Sequence, residues 1–250
     1  MQEPIQYEGR NPVIEALKAG SDIDKIYIAI GSSGSLGHII GLARQHGIAV
    51  SELPRRELDK RTRTGNHQGV IAICSAIKYA TVDDILEIAK QKGEDPFVII
   101  LDSIEDPHNL GAIIRSANAS GAHGVIITKH RSATLTAVVA KTSAGAIEYT
   151  PVAKVTNLAQ TLDYLKNKGL WIYGAAAGEA NIYTSTDMSG PIALVIGNEG
   201  RGMSSLVTTR CDFLISIPMH GEIESLNASV ASSLLMYEIV RQRAKKRKND

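Results

Sequence analysis

The 250-residue sequence lacks the features that mark secreted, membrane and disulfide-rich proteins. Two cysteines, Cys74 and Cys211, are too few for a disulfide scaffold and favour a reducing compartment. No apolar run approaches the roughly 20 residues that a membrane-spanning helix needs. The first ten residues, MQEPIQYEGR, contain no basic-then-apolar signal sequence. We therefore expect a cytoplasmic protein that does not bind a membrane.

An excess of one charge sign is also missing, because the formal net charge is only +1. Total charge is therefore no argument for or against a nucleic-acid partner. Basic residues are nevertheless concentrated at the C-terminus, RQRAKKRKND (241–250), and in the segment 54–63. Such clusters are either solvated surface or a phosphate-binding footprint. The candidate RNA-binding residues in the second cluster are Arg55, Arg56, Lys60, Arg61 and Arg63.

The hydrophobic pattern predicts an α/β protein. In residues 1–77, short strands at 25–30, 47–53 and 69–77 surround a helical pattern at 36–47. A second helical pattern at 79–95 ends in polar residues, so we assign 78–95 to a linker. Continuous Val/Ile runs beyond it predict a mostly parallel sheet buried on both faces. These runs lie at 97–102, 124–128, 151–155, 170–176, 192–197 and 213–219, with helical patterns at 132–143 and 157–169.

Two glycine-rich segments invite comparison with nucleotide-binding loops. GSSGSLG (31–37), with Glu52 further on, imitates a dinucleotide fingerprint, but its spacing is wrong and a flexible connection is favoured over an NAD site. LVIGNEGRGMS (194–204) follows a strand, and its glycines permit close backbone approach to a ligand. It lacks the lysine of a triphosphate-binding loop, so a different ligand must be considered.

The segment 106–121 predicts a helix that begins at Asp106 and Pro107. Gly111 and Arg115 lie on a stripe beside its apolar face, where a missing side chain makes room for a ligand or for a closely packed segment. A last helix is predicted to begin at Ser225 or Asn227. Loops 197–202 and 218–226 would then meet at the carboxyl edge of the sheet, where α/β proteins bind ligands.

Three segments in this order resemble the motifs of the SpoU/TrmH family of RNA ribose 2′-O-methyltransferases. They are NLGAIIR (109–115), GNEGRGMS (197–204) and IPMHGEIESLNASVASS (217–233). Further, YEGRNPVIEALKAG (7–20) and RTGNHQGVIAIC (64–74) resemble the L30e-like RNA-binding domain of the RlmB-type branch, which acts on large-subunit ribosomal RNA. The resemblance implies an RNA-binding domain over 1–77 and a SPOUT-type catalytic domain with a C-terminal trefoil knot over 96–250. It also implies a homodimer packed through the knot.

The resemblance implies S-adenosylmethionine as cofactor and assigns residues to two groups. The cofactor site would contain Gly197, Ile217 and Leu226, with Asn198, Gly200, Met219 and Ala175 as neighbours. Positions linked to catalysis are Asn109, Arg115, Glu199, Ser225 and Asn227. Because a guanidinium stays protonated, Arg115 is better suited to binding a phosphate and stabilising negative charge than to acting as a base. No metal-ligand spacing is present, and the histidines are scattered.

The implied reaction is methyl transfer to a ribose 2′-OH, with guanosine in 23S ribosomal RNA as the expected acceptor. One alternative is a tRNA ribose methyltransferase. Another is a non-catalytic RNA-binding ribosome-assembly factor, against which the intact Asn109, Arg115, Glu199 and Asn227 argue.

Overall fold

The fold is described from a computed structural model, which covers residues 6–21, 23–31, 36–74, 78–178 and 181–247. The chain divides into two compact units, the first formed by the residues up to Lys78 together with Thr134–Ala137 and the second by Tyr79–Ala133 and the residues from Val138 on. Across these ranges, no helix combines the length and the apolar character needed to cross a membrane.

The first unit contains a small mixed sheet covered by helices. Its elements are β1 (Gln6–Glu8), α1 (Arg10–Lys18), β2 (Ile23–Ala29), α2 (Leu36–Gln45), β3 (Ala49–Leu53), α3 (Arg55–Asp59) and β4 (Val70–Cys74). The described strands lie in the order β1-β4-β2-β3, with β2 and β3 parallel and the other pairs antiparallel. Val13, Leu17 and Ile39 from the helices are buried against Ile26 of the sheet.

The strands and the helix predicted in the first unit are present. β2 begins two residues earlier than predicted and ends one residue earlier, and α2, β3 and β4 are shorter than predicted. Gly47 ends α2 in a left-handed conformation, with φ of 62°, which glycine adopts without strain. The pattern did not predict β1, α1 or α3, and α3 occupies part of the basic cluster. Residues 32–35 of the glycine-rich segment and the end of the third predicted strand, 75–77, lie outside the described residues.

The second unit is built on a larger parallel sheet. Its strands are β5 (Phe97–Leu101), β6 (Gly124–Thr128), β7 (Val152–Val155), β8 (Trp171–Ala175), β9 (Asn181–Ile182), β10 (Ile192–Ile196) and β11 (Phe213–Ser216). Its helices are α4 (Val82–Lys92), α5 (Pro107–Ala119), α6 (Ala137–Thr142), α7 (Leu158–Asn167), α8 (Ser205–Thr208) and α9 (Ala228–Lys246). The described strands lie in the order β7-β6-β5-β10-β8-β11-β9.

The parallel sheet and its six predicted strands are confirmed. All registers between these strands are parallel, and every residue of β5 and β10 is buried, as their continuous apolar runs indicated. The two-residue β9 was not predicted, because a strand this short has no detectable pattern. The helix predicted over 132–143 is reduced to α6.

The assignment of 78–95 to a linker is wrong, because this segment is an integral part of the second unit. Thr81 and Asp84 form a reciprocal capping box at the start of α4. Ile85 and Ala89 are fully buried in the core of the sheet. An ideal Cβ on Gly124 would lie 2.6 Å from the Ile85 side chain, so α4 packs directly over β6. Its polar surface, rather than a change of domain, explains the sequence pattern.

Two long helices, α5 and α9, pack against each other on the second unit. Ser116 Oγ lies 2.8 Å from Ser233 Oγ across their contact. The predicted apolar face of α5 is buried. Because parallel strands end at one edge, the segments that follow β5, β8, β10 and β11 meet beside the N-termini of these two helices.

Candidate active site

A cavity of about 520 Å³ opens at the carboxyl edge of the second sheet. Its walls come from the segments that follow β8, β10 and β11 and from the first turns of α9. All seven residues assigned to a cofactor lie in these walls, although they come from distant parts of the sequence. They are Ala175, Gly197, Asn198, Gly200, Ile217, Met219 and Leu226.

The glycine-rich loop after β10 closes on itself by a pair of backbone hydrogen bonds. Asn198 N–H donates to Gly202 O at 3.0 Å, and Gly202 N–H donates to Asn198 O at 2.7 Å. The Asn198 amide fixes this turn, because its Nδ2 donates to Ser103 O at 3.0 Å and its Oδ1 accepts from Gly200 N–H at 3.0 Å. Asn198 therefore shapes the cavity wall as well as lining it.

The closed loop explains why residue 197 is glycine. An ideal Cβ there would lie 2.3 Å from Gly202 C and 2.3 Å from Met203 N, a distance that no real side chain tolerates. Gly197 is thus required for the loop to fold back over it. The expectation that its missing side chain serves close approach of a ligand needs this correction.

Three of the five residues linked to catalysis form one hydrogen-bonded network. Glu199 Oε1 accepts from Asn109 Nδ2 at 2.7 Å, from Asn227 Nδ2 at 2.5 Å and from Ala228 N–H at 3.2 Å. Asn227 Nδ2 also lies 3.0 Å from Asn109 Oδ1. This Asn109–Glu199–Asn227 network joins α5, the glycine-rich loop and α9.

The sequence around the network favours this geometry. Asn227 caps α9, with its Oδ1 accepting from the N–H groups of Ser229 and Val230, so it was correctly predicted as a helix start. Ala228 N–H belongs to the unpaired first turn of α9, where the helix dipole stabilises a negative charge. The Glu199 carboxylate therefore satisfies a helix N-terminus while it anchors the loop.

The other two residues linked to catalysis lie outside the network. Ser225 is exposed and lines the cavity. Arg115 is exposed on α5, and among the described residues it forms no hydrogen bond or ion pair. Its guanidinium is therefore available to a bound molecule.

Gly111, one turn before Arg115, faces a closely packed segment and not a ligand. An ideal Cβ there would lie 2.6 Å from Thr142 Cβ and 3.0 Å from Val139 O. This contact decides between the two readings that the sequence left open, since the space above Gly111 is filled by the end of α6.

Sequence reasoning missed two features of the cavity. Asp102 is buried directly after β5, and its Oδ2 accepts from Ser204 N–H at 2.8 Å, which fixes the far end of the glycine-rich loop. An acidic residue at the end of a buried strand was the available signal. Arg201 and Glu224 also line the cavity, both exposed and without a side-chain partner among the residues described.

One cysteine lies behind the cavity wall but is not a reactive group. Burial raises the pKa of the Cys211 thiol to about 11, so the sulfur stays protonated at neutral pH. Its Sγ donates to Val207 O at 3.4 Å. Throughout the residues that the structure covers, His, Cys, Asp and Glu form no group of three or more suited to hold a metal ion.

Some side chains of the basic cluster at 54–63 in the first unit are engaged in ion pairs. The single carboxylate of Glu57 pairs with both Lys60 at 2.8 Å and Arg61 at 3.2 Å, so it offsets one of their two positive charges. Arg55 and Arg56, in the first turn of α3, are exposed and make no ion pair within the described ranges. These two arginines are therefore the better candidates for contacts with phosphates.

The segment after α3 is fixed by a single carboxylate. Glu8 accepts hydrogen bonds from the Thr62 and Thr64 hydroxyls and from the N–H groups of Arg63 and Thr64. Partial burial raises the pKa of Glu8, but these hydrogen bonds outweigh it and hold the pKa at about 2. The position of the backbone at Arg63 therefore depends on the ionised Glu8.

Both units match known protein families. Residues 96–237 match the SpoU rRNA Methylase family, and residues 7–80 match the family described as RNA 2′-O ribose methyltransferase substrate binding. A protein of Bacillus subtilis whose name places it in the TrmH family of tRNA/rRNA methyltransferases is 50% identical over 236 residues, 94% of each chain.

Two solved structures are similar over nearly the whole chain. The SpoU methyltransferase AviRb from Streptomyces viridochromogenes, in complex with the cofactor AdoMet, has a TM-score of 0.62 and 25% identity, covering 97% of this chain and 92% of its own. An AdoMet-bound rRNA methyltransferase from Sinorhizobium meliloti has a TM-score of 0.60 and 25% identity, covering 96% and 87%.

Proposed function

The chain belongs to the SpoU rRNA methylase family, and on this premise we propose that it transfers a methyl group from S-adenosylmethionine to a ribose 2′-OH, that of a guanosine in 23S ribosomal RNA. One observation carries the proposal: the seven residues assigned to the cofactor surround a single cavity whose wall is anchored by the Asn109–Glu199–Asn227 network.

The cavity suits S-adenosylmethionine in size and chemistry. Its volume of about 520 Å³ falls in the range of small-molecule sites. Ile217 and Leu226 offer apolar surface to an adenosine. Arg201 and Glu224 are oppositely charged side chains on the cavity wall that have no partner among the described residues. Their charges complement the carboxylate and the ammonium of a methionyl tail. AviRb, a similar structure, holds this cofactor.

The proposed chemistry depends mainly on positioning. S-adenosylmethionine, when bound, supplies an electrophilic methyl group. Residues of the chain must hold the acceptor oxygen in line with that group. Arg115 would bind a neighbouring phosphate and stabilise the negative charge that develops on the 2′-oxygen. Glu199 is assigned a positioning role, because its Oε1 accepts the three hydrogen bonds that join α5, the glycine-rich loop and α9.

The RNA class is proposed from the first unit. Its match to a substrate-binding family supports RNA recognition, with Arg55 and Arg56 binding phosphates. The resemblance of 7–20 and 64–74 to the RlmB-type branch favours 23S ribosomal RNA. A tRNA substrate is the second candidate, because the name of the B. subtilis relative includes both RNA classes.

We also propose a homodimer packed through a knotted C-terminal region. Val230, Leu234 and Tyr237 lie at helical spacing on α9, and 43–52% of each remains exposed in the isolated chain. A second copy that covers this stripe would bury apolar surface that is otherwise left in water. Light scattering at micromolar concentration should give twice the chain mass.

The proposed function is tested by transfer of radiolabelled methyl from S-adenosylmethionine to purified RNAs. We expect label in 23S ribosomal RNA and much less in tRNA or 16S ribosomal RNA. Label confined to tRNA would support the second candidate. If the protein binds the cofactor but labels no RNA, the remaining hypothesis is the non-catalytic RNA-binding ribosome-assembly factor.

A further inference from the structure

The most exposed large hydrophobic side chain among the described residues is Tyr149, which is 81% exposed. It follows a short 3-10 helix, Ala146–Glu148, and its N–H donates to Ala146 O at 3.1 Å. Ala146 and Ile147 are buried beneath it. Tyr149 is therefore an aromatic ring displayed on a fixed support and not on a loose loop.

The support is held against α5 at two points. One is the close contact between Gly111 and Thr142 at the end of α6. The other is a hydrogen bond of 3.1 Å from Asn118 Nδ2 to Thr150 Oγ1, next to Tyr149. Between these points the chain passes through a left-handed turn with φ of 50° at Ala144, an unfavourable conformation for a residue with a side chain.

These contacts place the segment that carries Tyr149 along the face of α5 to which Arg115 belongs. Gly111, Arg115 and Asn118 form one stripe on the helix, and the segment 142–150 contacts the stripe on both sides of Arg115. Asn109, in the network, precedes Asn118 by nine residues, or about 13.5 Å along the helix. The support of Tyr149 thus contacts α5 at Asn118, beyond Arg115 as seen from the network.

The surroundings of Tyr149 fit a nucleic acid better than a protein partner. Within 142–150 its exposed neighbours are Ala144, Gly145 and Glu148, which are small or charged. Val138 of α6 is the nearest exposed large hydrophobic residue along the chain. An exposed ring on a fixed support, together with the Arg115 guanidinium, which has no partner among the described residues, is instead the combination by which single-stranded RNA is bound: the ring stacks on a base and the charge binds the phosphate.

We propose that Tyr149 stacks on a base of the substrate RNA that flanks the methylated nucleotide, while Arg115 binds the intervening phosphate. The proposal rests on the proposed function and adds a contact on the catalytic unit to those of the first unit. Because stacking is tolerant of sequence, Tyr149 contributes affinity and register and does not select the base.

The test compares Tyr149→Ala, Tyr149→Phe and the neighbouring control Glu148→Ala. The affinity of the full-length protein for a ribosomal RNA fragment is measured by fluorescence anisotropy, and cofactor affinity by calorimetry. Tyr149→Ala should weaken RNA binding by roughly 5- to 150-fold, the range measured for loss of one stacked base. Tyr149→Phe and Glu148→Ala should bind within twofold of wild type or more tightly, and no variant should alter cofactor affinity.

Unchanged RNA affinity of Tyr149→Ala would overturn the stacking contact, and so would equal losses in the Ala and Phe variants. A changed oligomeric state with unchanged RNA affinity would assign the ring to a protein contact instead. Each of these results leaves the proposed function standing, because that function fails on a different readout: absence of methyl transfer by the wild-type protein.

Discussion

Replacing Glu199 by Gln tests whether the hydrogen-bonded network holds the cofactor loop in place. The substitution keeps the size of the side chain but removes its charge. Glu199 Oε1 accepts from Asn109, from Asn227 and from Ala228 N–H, so three hydrogen bonds lose their charged acceptor.

The magnitude follows from these contacts. A hydrogen bond to a charged group is worth about 1.5–3 kcal/mol and a neutral one about 0.5–1.5 kcal/mol, so each of the three bonds loses about 1 kcal/mol. Loss of the charge at the start of α9 adds about 0.3–1 kcal/mol. Because Glu199 is exposed, solvent screening reduces the total to about 1–2 kcal/mol. We expect the dissociation constant of S-adenosylmethionine to rise by roughly 5- to 30-fold.

Calorimetric titration of the purified variant measures this change. Glu222→Gln is the matched control, because Glu222 is exposed in the segment before α9 and is not among the described residues that line the cavity. A double-mutant cycle with Asn109→Ala should show coupling above about 0.5 kcal/mol. Cofactor affinity within twofold of wild type for Glu199→Gln would refute the anchoring role of the network.

The remaining predictions concern the loop, the proposed catalytic arginine and the first unit. Gly197→Val should lower the melting temperature and abolish cofactor binding, because the loop cannot close over a side chain. Gly200→Ala is the control, since a Cβ has room there, and it should remain folded and bind the cofactor. Equal behaviour of the two variants would refute this steric reason. Arg115→Ala should fold and bind the cofactor as wild type but transfer methyl at least about a hundredfold more slowly, with little rescue by Lys; near-normal single-turnover rates would remove Arg115 from the mechanism. Replacing Arg55 and Arg56 of α3 by alanine should flatten the salt dependence of RNA binding. An unchanged slope would show that these two arginines are solvated surface residues and do not bind phosphates. Because the pKa of Glu8 is lowered to about 2, the stability that Glu8 contributes is complete above about pH 4.5 and is lost as the pH falls toward 2. Denaturant unfolding should therefore show that Glu8→Gln loses less stability than wild type between pH 4.5 and pH 2.

The sequence predicted the sheet well because its strands are buried on both faces. A run such as Phe97–Leu101 has no polar residue to obscure it, and its short length and its Val and Ile content favour a strand buried on both faces. The helical pattern at 79–95 is likewise confirmed as α4, but its polar end was wrongly taken as a boundary between domains, although Ile85 is buried beneath the helix. The polar outer face of a helix that is buried on one side does not indicate to which domain the helix belongs.

Part of the candidate site could also be predicted from the sequence, and part of it could not. The resemblance to the family motifs assigned seven residues to the cofactor, and all seven surround one cavity. Their contact with the cofactor stays a prediction. The motifs did not predict that Gly197 is required by backbone at Gly202, or that Asp102 fixes the loop at Ser204, since both contacts join residues separated along the chain. The Asn109–Glu199–Asn227 network likewise spans 118 residues, from Asn109 to Asn227, and only the fold brings it together.

The central claim is that methyl transfer reaches the ribose 2′-oxygen of an RNA nucleotide. Ribosomal RNA methylated in vitro with labelled cofactor should be digested to nucleosides and analysed by mass spectrometry. We predict a single 2′-O-methylated nucleoside, expected to be 2′-O-methylguanosine, whose label fragments with the ribose. In the undigested RNA, the phosphodiester on the 3′ side of this nucleotide should resist alkaline hydrolysis. Label that fragments with the base would contradict the account.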